Sequence, residues 1–271
     1  MIPSFNSMYT PKVTIITIVF NGKRHLEQCI GSVLGQTYPH IRYVVIDGGS
    51  TDGSVDIIKK YTDRIAFWVS EKDNGISDAF NKGLAHCDGE VVGILNADDW
   101  YAPDAVELAV RQLEKADVAF GDIQFWRDGE KEAIVKGNLA MLEWEMTLNH
   151  PTVFVKKRCY DEFGGFDTQL RCAMDYDLLL RLKVNGCRFA HVPHVLANMR
   201  WGGMSDKHWK LGCRETLAIK NKYLPNKKWQ HALYYRKHVL AIRANKLFTR
   251  LNLIFIIRFY RKLFSPVKKT Q

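Results

Sequence analysis

Short apolar runs alternate with amphipathic segments between residues 13 and 115. The apolar runs predict four strands, at residues 13–20, 41–46, 65–69 and 91–95. Apolar positions at helical spacing follow each run and predict helices at residues 25–34, 54–61, 77–86 and 103–115. Because these strands are apolar throughout, and not only at alternate positions, we expect helices on both faces of their sheet. The pattern predicts an α/β fold with a doubly wound, mostly parallel sheet.

The regular alternation ends near residue 117. Further on, strands are predicted at residues 118–126, 152–155 and 188–195, and a helix at 175–185. Beyond residue 205 the chain is predicted to be helical. We therefore expect an N-terminal tail (1–11), an α/β half (12–116), a mixed half (117–205) and a helical C-terminal extension (206–271).

Composition supports a folded, globular chain, because 46% of its 271 residues are hydrophobic. The formal net charge is +10. Lys and Arg are dense from Lys207 onward, and acids nearly vanish after Glu215. Such a basic segment indicates an anionic partner, either a membrane surface or nucleic acid.

Residues 240–264 combine apolar positions at helical spacing with basic side chains. This pattern predicts a helix on an anionic bilayer surface; the alternative is a helix packed on the domain with a solvated basic face. Its apolar run at 251–257 is too short to span a membrane. The six cysteines form no C-x-x-C pair, which argues against zinc and for a reducing compartment. Because residues 1–11 lack the features of a signal peptide, we expect a cytoplasmic protein.

Two adjacent carboxylates, Asp98 and Asp99, follow the apolar run that ends at residue 95. Open α/β sheets bind ligands beyond the carboxyl ends of their strands, and paired carboxylates at such a place indicate a cation. Mg²⁺ prefers one or two carboxylates together with the oxygens of a bound diphosphate. A nucleoside-diphosphate ligand held through a metal is therefore expected. The alternative is that these residues cap the helix that begins near Pro103.

Asp47 ends the second predicted strand and precedes the turn Gly48-Gly49-Ser50. A carboxylate there accepts hydrogen bonds from a ribose hydroxyl or a base N–H, and glycines let the backbone approach a ligand closely. The alternatives are a turn-forming role for Asp47 and capping of the next helix by Ser50 or Asp52. Neither G-x-G-x-x-G after the first strand nor a Walker motif is present, which disfavours NAD and P-loop sites.

Four segments, at residues 14–21, 47–54, 71–83 and 95–99, together resemble the family 2 glycosyltransferases with the GT-A fold. The resemblance extends over residues 12–205. It implies an inverting transfer from a nucleotide-diphosphate sugar, with UDP as the expected nucleotide and Mg²⁺ or Mn²⁺ as the cofactor. By the same resemblance, residues 12–116 bind the donor and residues 117–205 bind the acceptor.

The resemblance also assigns roles to individual residues of the donor half. Asp47 matches the position that contacts the base, and Thr17 and Asn21 match the loop that borders it. Asn96-Ala97-Asp98 matches the D-x-D motif, with Asp98 as the metal ligand. Asn96 replaces the usual Asp and removes one negative charge, although it still offers a hydrogen bond to ribose.

Three more donor-side residues are candidates. Asp99 is expected to be an additional metal ligand, with capping of the next helix as the alternative. Asp73 and Asp78 are expected to contact the nucleotide sugar, with capping of the helix at Ser77 as the alternative.

Segments 150–154, 163–167 and 173–182 resemble the acceptor-side motifs of this family. Asp175 falls on the second residue of the usual Glu-Asp pair and is expected to be the general base, whereas Met174 stands in place of the Glu. A helix start stabilises a carboxylate as the anion, so Asp175 is expected to be ready to accept a proton. The alternative is helix capping. Arg200 and residues 201–205 are expected either to close over the diphosphate or to form a plain turn.

The predicted function is transfer of a sugar to a hydroxyl of a saccharide or lipid-linked saccharide at the inner face of the cell membrane, in bacterial cell-surface polysaccharide synthesis. Nucleic acid is not an expected partner. One alternative is a sugar-nucleotide nucleotidyltransferase, although residues 21–24 make a poor phosphate loop. The other is a non-enzymatic, basic membrane-binding or nucleic-acid-binding protein, which would leave the strand-end carboxylates unexplained.

Overall fold

The computed structural model describes residues 9–201 and 208–250. Its strands are β1 (Val13–Val19), β2 (Ile41–Asp47), β3 (Phe67–Ser70), β4 (Val91–Asn96), β5 (Trp100–Tyr101), β6 (Val118–Arg127), β7 (Glu130–Val135), β8 (Val153–Lys156) and β9 (Phe189–Arg200). Its helices are α1 (Lys23–Leu34), α2 (Ser54–Lys59), α3 (Ile76–Ala85), α4 (Ala105–Leu113), α5 (Lys157–Phe163), α6 (Met174–Val184), α7 (Trp209–Tyr223) and α8 (Lys228–Arg250).

One sheet runs through both halves of the chain, in the order β3-β2-β1-β4-β8-β6-β9-β5, with β7 paired to β6. The first four strands in this order are parallel to each other, as the sequence predicts. β8 then runs antiparallel to both of its neighbours, and β9 runs parallel to β6. The α/β fold, with a parallel first half and a mixed second half, is confirmed.

Helices cover both faces of the sheet, as the continuous apolar strands indicate. Ile15 packs into one core with residues of α1, α2 and α4, whereas Ile16 packs into a second core with residues of α3 and α6. Neighbouring residues of a strand point to opposite faces, so a strand between two helical layers must be apolar at both. This explains why the runs at β1, β2 and β4 do not alternate.

Three elements were not predicted. β5 has two residues, which is too short for any periodicity, and it pairs with Asn198 and Ala197 of β9. Half of the residues of β7 are charged, and Ala133 is its one buried residue. α5 follows directly on β8 with no turn residue between them. β9 continues to Arg200, beyond the predicted end at residue 195.

The C-terminal helices pack against the second half of the chain. Glu215 of α7 is buried and accepts hydrogen bonds from the amides of Arg171, Cys172 and Ala173, at 2.9–3.0 Å. No helix among residues 9–201 and 208–250 is both long and apolar enough to cross a bilayer. Residues 251–264 of the predicted membrane-surface helix lie outside the described residues.

Candidate functional site

The carboxyl ends of the four parallel strands meet at one edge of the sheet. Asp47, the last residue of β2, is in register with Val19 of β1 and with Ser70 of β3. Asn96, the last residue of β4, is in register with Ile18 on the other side of β1. The predicted strand-end segments therefore come together along a single edge, where sheets of this type bind ligands.

Asp47 is fully buried and uses only one of its two carboxylate oxygens within the protein. Oδ2 accepts hydrogen bonds from Ser70 Oγ (2.6 Å), the Ser50 amide (2.9 Å) and the Gly49 amide (3.1 Å). The turn-forming alternative is thus correct for this oxygen. Oδ1 is buried and has no hydrogen-bond partner among the described residues. Because an unpaired buried acceptor costs about 1–3 kcal/mol, a ligand N–H or O–H at Oδ1 would bind favourably.

Asn21 joins the loop after β1 to the loop after β2. Its amide donates to Ser50 Oγ (2.7 Å), and its Oδ1 accepts from the Thr51 amide (3.0 Å). Its φ of 50° lies in the left-handed region, which asparagine tolerates better than most residues. The predicted capping role of Asp52 is confirmed, since its carboxylate accepts amide hydrogens at the starts of α1 and α2. These bonds fix the two loops to each other beside Asp47.

Thr17 does not lie in a loop, contrary to the prediction. It is within β1 and fully buried. Its hydroxyl accepts a hydrogen bond from Tyr43 OH (3.0 Å) and lies 3.7 Å from Cys29 Sγ. The side chain therefore packs inside the core, two residues before the end of β1.

The segment after β4 carries three candidate oxygen ligands that differ in exposure. The side chain of Asp98 is exposed, whereas Asp99 is 2% exposed. Burial, and then the neighbouring charge of Asp98, hold the pKa of Asp99 well above its usual range. Asn96 Oδ1 and Asp99 Oδ2 are buried and lack a hydrogen-bond partner among the described residues. The capping alternative is wrong, because α4 begins only after β5 and directly follows Asp104.

These oxygens fit a hard divalent cation that completes its ligands from a bound diphosphate. Asp98 offers an exposed carboxylate, a ligand type that Mg²⁺ and Mn²⁺ accept, and the unpaired amide oxygen of Asn96 is available to accept a hydrogen bond from the bound ligand. Within the described ranges no three His, Cys, Asp or Glu side chains are grouped to hold a metal by themselves. The protein oxygens alone make an incomplete set, which leaves positions for the oxygens of a substrate.

Arg200 reaches the same segment from the end of β9. Its guanidinium donates to the main-chain carbonyl of Asp98 and to Gln28 Oε1 (2.5 Å), and its Cζ lies 4.3 Å from the ring centroid of Trp100. A positive charge is thereby fixed beside the candidate diphosphate site. Residues 202–205 of the predicted closing loop lie outside the described residues.

Asp73 and Asp78 form a local turn ahead of α3. Asp73 Oδ1 accepts from the Gly75 amide (3.0 Å), and Asp78 Oδ2 accepts from the Asn74 amide (2.9 Å). The other oxygen of Asp73 faces Gly48, where a Cβ would lie only 2.2 Å from Oδ2. Asp73 therefore lies beside the Asp47 turn, and Gly48 is required for this close approach, whereas Asp78 supports the turn before α3.

Asp175 lies in the first turn of α6 and is partly buried. Desolvation raises its pKa to about 6, against the effect of the Tyr176 amide, which donates to Oδ1 (2.8 Å). Burial therefore raises the pKa of Asp175 more than the start of α6 lowers it, and the group remains an anion at neutral pH. A carboxylate with a pKa near the working pH is a better general base than an ordinary aspartate.

The neighbours of Asp175 have structural roles. Met174 is 4% exposed and belongs to the core beneath α6. Asp177 is buried, accepts from Tyr223 OH (3.0 Å) and lies 3.5 Å from the Arg181 guanidinium. Arg181 donates to the carbonyls of Phe163 (2.7 Å) and Gly165 (2.5 Å) and so braces the segment before α6.

A pocket of about 310 Å³ opens beside Asp175. It is lined by the aromatic side chains Trp144, Tyr176, Trp209, Tyr234 and Tyr235, among others. Asp175 also lines a smaller cavity, together with Ile94 of β4 and His150. Ile94 lies two residues before Asn96, so Asp175 is close to the strand that ends at the candidate donor site.

Phe20 is a candidate that the sequence pattern concealed. It was assigned to the first strand, but β1 ends at Val19 and the Phe20 side chain is 68% exposed. Its ring lies near Gly48, where an added Cβ would be 3.5 Å from Cδ2. An exposed aromatic ring beside the Asp47 turn is suited to stacking on a nucleotide base. The polar residue that follows it, Asn21, was the available sign that the strand had ended.

Sequence comparison agrees with this geometry. The profile of the family described as "Glycosyl transferase family 2" matches residues 14–170. An uncharacterized glycosyltransferase of Rickettsia typhi is 29% identical over 199 residues, which cover 68% of this chain and 62% of that protein. The chondroitin synthase of Escherichia coli is 29% identical over 200 residues, covering 69% of this chain and 29% of the synthase. The chain thus spans less than two thirds of the length of these relatives.

Structural comparison gives the same fold at lower sequence identity. The mannosyltransferase PcManGT of Pyrobaculum calidifontis, solved with GDP-Man and Mn²⁺, has a TM-score of 0.66 and 20% identity, covering 96% of this chain and 82% of that one. TarS 1–349 of S. aureus, solved with UDP-GlcNAc, has a TM-score of 0.61 and 16% identity, covering 77% of this chain and 66% of that one.

Proposed function

Because the chain belongs to glycosyl transferase family 2, we propose that it transfers a sugar from a nucleotide-diphosphate sugar, with UDP as the nucleotide, to a hydroxyl of a saccharide or lipid-linked saccharide, with inversion at the anomeric carbon. The proposal places the reaction at the cytoplasmic face of the membrane, in cell-surface polysaccharide synthesis.

The observation that carries the proposal is the row of unsatisfied oxygens at the sheet edge. Asp47 ends β2 and Asn96 ends β4, the two strands that flank β1. The Oδ1 atoms of both residues are buried and have no hydrogen-bond partner among the described residues. Asp47 is proposed to accept from the base and Asn96 from the ribose, while Phe20 stacks on the base. PcManGT and TarS support this proposal, since both are described as complexes with nucleotide sugars.

Asp98 is proposed to hold Mg²⁺ or Mn²⁺, helped by Asp99, with Arg200 at the diphosphate. A bound divalent cation would neutralise the charge that develops on the departing nucleoside diphosphate. The complex of PcManGT with GDP-Man and Mn²⁺ supports a metal at this place. Arg200 would contribute to the same purpose by donating to the phosphate oxygens.

On the acceptor side, Asp175 is proposed to be the general base. It takes the proton of the acceptor hydroxyl as that oxygen forms a bond to the anomeric carbon. The bond between this carbon and the diphosphate oxygen breaks on the opposite face, and the nucleoside diphosphate leaves. A base whose pKa is raised to about 6 is deprotonated at neutral pH and is still basic enough to accept the proton.

Product analysis tests the proposal directly. The purified protein is incubated with UDP-sugars and Mn²⁺ and a panel of saccharide acceptors. We expect release of UDP and a new glycoside of inverted configuration. Release of free diphosphate would instead identify a nucleotidyltransferase, and the absence of both products, with nucleic-acid binding that weakens steeply with salt, would identify a basic binding protein.

A further inference from the structure

The Asp175 pocket is closed by helices that lie beyond the family match, which ends at residue 170. α7 contributes Trp209, and α8 contributes Tyr234 and Tyr235 to the lining. α8 is fixed in this place by Tyr234 OH, which donates to Glu145 Oε2 (2.8 Å), and by the fully buried His231. One face of α8 therefore belongs to the wall of the acceptor pocket.

The opposite face of α8 is exposed and apolar. It consists of Trp229, Leu233, Leu240 and Leu247, which are 46% to 69% exposed. At 3.6 residues per turn, these four side chains lie within about 40° of one another around the helix axis, and the pocket face lies about half a turn away. We call them the outer stripe. A helix with no role beyond closing the pocket would carry polar residues at these positions.

Basic side chains border the outer stripe. Arg236, Lys237 and Arg243 are exposed and lie on the same side of α8 as the stripe or next to it. The sequence of α8 contains no Asp or Glu. An apolar stripe with basic flanks is complementary to the anionic headgroups and acyl-chain boundary of a bilayer, and each basic residue near such a surface adds to the attraction.

We propose that α8 docks on an anionic lipid bilayer through the outer stripe, so that a single helix separates the bilayer from the Asp175 pocket. The acceptor is then a saccharide held at the membrane surface, within about one helix diameter, 10–12 Å, of the headgroups. Binding of the acceptor in the Asp175 pocket rests on the proposed function, whereas the docking of α8 on a bilayer does not.

Vesicle flotation tests the docking with the full chain. The vesicles are phosphatidylcholine, with or without about one third phosphatidylglycerol. We expect binding to the anionic vesicles, weaker binding at high salt, and a loss of about tenfold or more in the double variant Leu233→Ser/Leu240→Ser. Ala241→Ser, an exposed change on α8 outside the outer stripe, is the matched control and should bind as the wild type does.

Fluorescence quenching by brominated lipids tests the orientation. Trp229 lies in the outer stripe and Trp209 in the pocket wall. Trp229→Phe should therefore remove most of the vesicle-dependent quenching, whereas Trp209→Phe should leave it unchanged. Quenching that survives Trp229→Phe would overturn the proposal, because another surface would then be in contact with the lipid.

Two other occupants of the outer stripe would also overturn the proposal. If a second copy covers it, the wild type will self-associate and the double variant will be monomeric without any vesicle. If residues 251–271 cover it, the wild type will not bind anionic vesicles. Donor binding separates this inference from the proposed function: the thermal shift with UDP-sugar and Mn²⁺ should be the same in the wild type and the double variant, and its absence from both would contradict only the proposed function.

Discussion

The proposed donor site at the edge of the sheet (the donor edge) and the Asp175 pocket proposed for the acceptor (the acceptor pocket) differ in how the chain forms them. The donor edge consists of loops that directly follow parallel strands, and its exposed or unpaired groups are oxygens of Asp47, Asn96 and Asp98. The acceptor pocket is assembled from three distant segments, around residues 144–146, 172–176 and 209–242, and five of its 17 lining residues are Trp or Tyr. Polar groups on a rigid edge suit a charged donor, whereas aromatic walls suit the apolar faces of a sugar ring.

Of the variants considered at these two regions, loss of the proposed metal ligand Asp98 should lower sugar transfer the most. Asp98→Asn removes the exposed carboxylate and should lower transfer by about 100-fold or more, because the charge of the leaving diphosphate is no longer neutralised. Mn²⁺ should then no longer increase the thermal shift produced by UDP-sugar. EDTA should have the same effect on the wild type, and Asp128→Asn, an exposed change in the turn between β6 and β7, should have none. Full Mn²⁺ dependence in Asp98→Asn would remove Asp98 from the site.

Asp47→Asn should weaken donor binding about 10- to 100-fold, since an NH₂ group would replace one of the two acceptor oxygens. The turn bonds to Ser50 and Gly49 can still be made by the remaining oxygen, so the variant should fold. Calorimetric titration with UDP-sugar measures the change, with Asp128→Asn as the control. An unchanged affinity would mean that Asp47 serves only the turn.

Trp209→Ala should raise the KM for the acceptor about three- to tenfold and leave donor affinity unchanged, because it removes one aromatic wall of the pocket. Trp229→Ala is the matched control, since its side chain lies on the opposite face of α8 from the pocket. With a water-soluble acceptor this control should behave as the wild type does. A change in donor affinity in Trp209→Ala would show that the two regions are not separate.

Asp175→Asn should stabilise the fold, and this sign separates a general base from a helix cap. The folded pKa, raised to about 6, exceeds the usual value of 3.8, so the native state holds the proton more tightly and is destabilised as pH rises through about 6. At pH 7–8 the variant should gain about 1–2 kcal/mol, after allowance for partial exposure. If Asp175 served only as a helix cap, the variant should instead lose about 0.3–1 kcal/mol in denaturant unfolding, since Asn caps a helix about as well as Asp and only the interaction of the charge with the helix dipole would be lost.

The donor edge was predictable because its information is local. A carboxylate after an apolar run marks a strand end, and parallel strands bring such ends together, so Asp47, Asn96 and Asp98 were found without knowledge of the packing. Thr17 shows the limit of this reasoning, because it was expected in a loop but lies within β1 and is buried in the core. Phe20 was missed because hydrophobicity alone does not show where β1 ends.

The acceptor pocket was not predictable from local patterns. α8 has the periodicity of a packed helix and of a membrane-surface helix at once, and only its contacts with Glu145 and the pocket show that it is packed on one face. The raised pKa of Asp175 likewise depends on burial by residues distant in the chain. Sequence reasoning named this residue but could not show the burial that raises its pKa.

The most direct test of the account is a parallel measurement of donor binding and sugar transfer in Asp175→Asn. The account predicts that UDP-sugar binds as tightly as in the wild type, while transfer to the acceptor falls by at least about 100-fold, because only proton removal is lost. Denaturant unfolding of Asp175→Asn shows whether the variant is folded. Transfer close to the wild-type rate in a folded Asp175→Asn protein would contradict the central claim that the base lies in the pocket beneath α7 and α8.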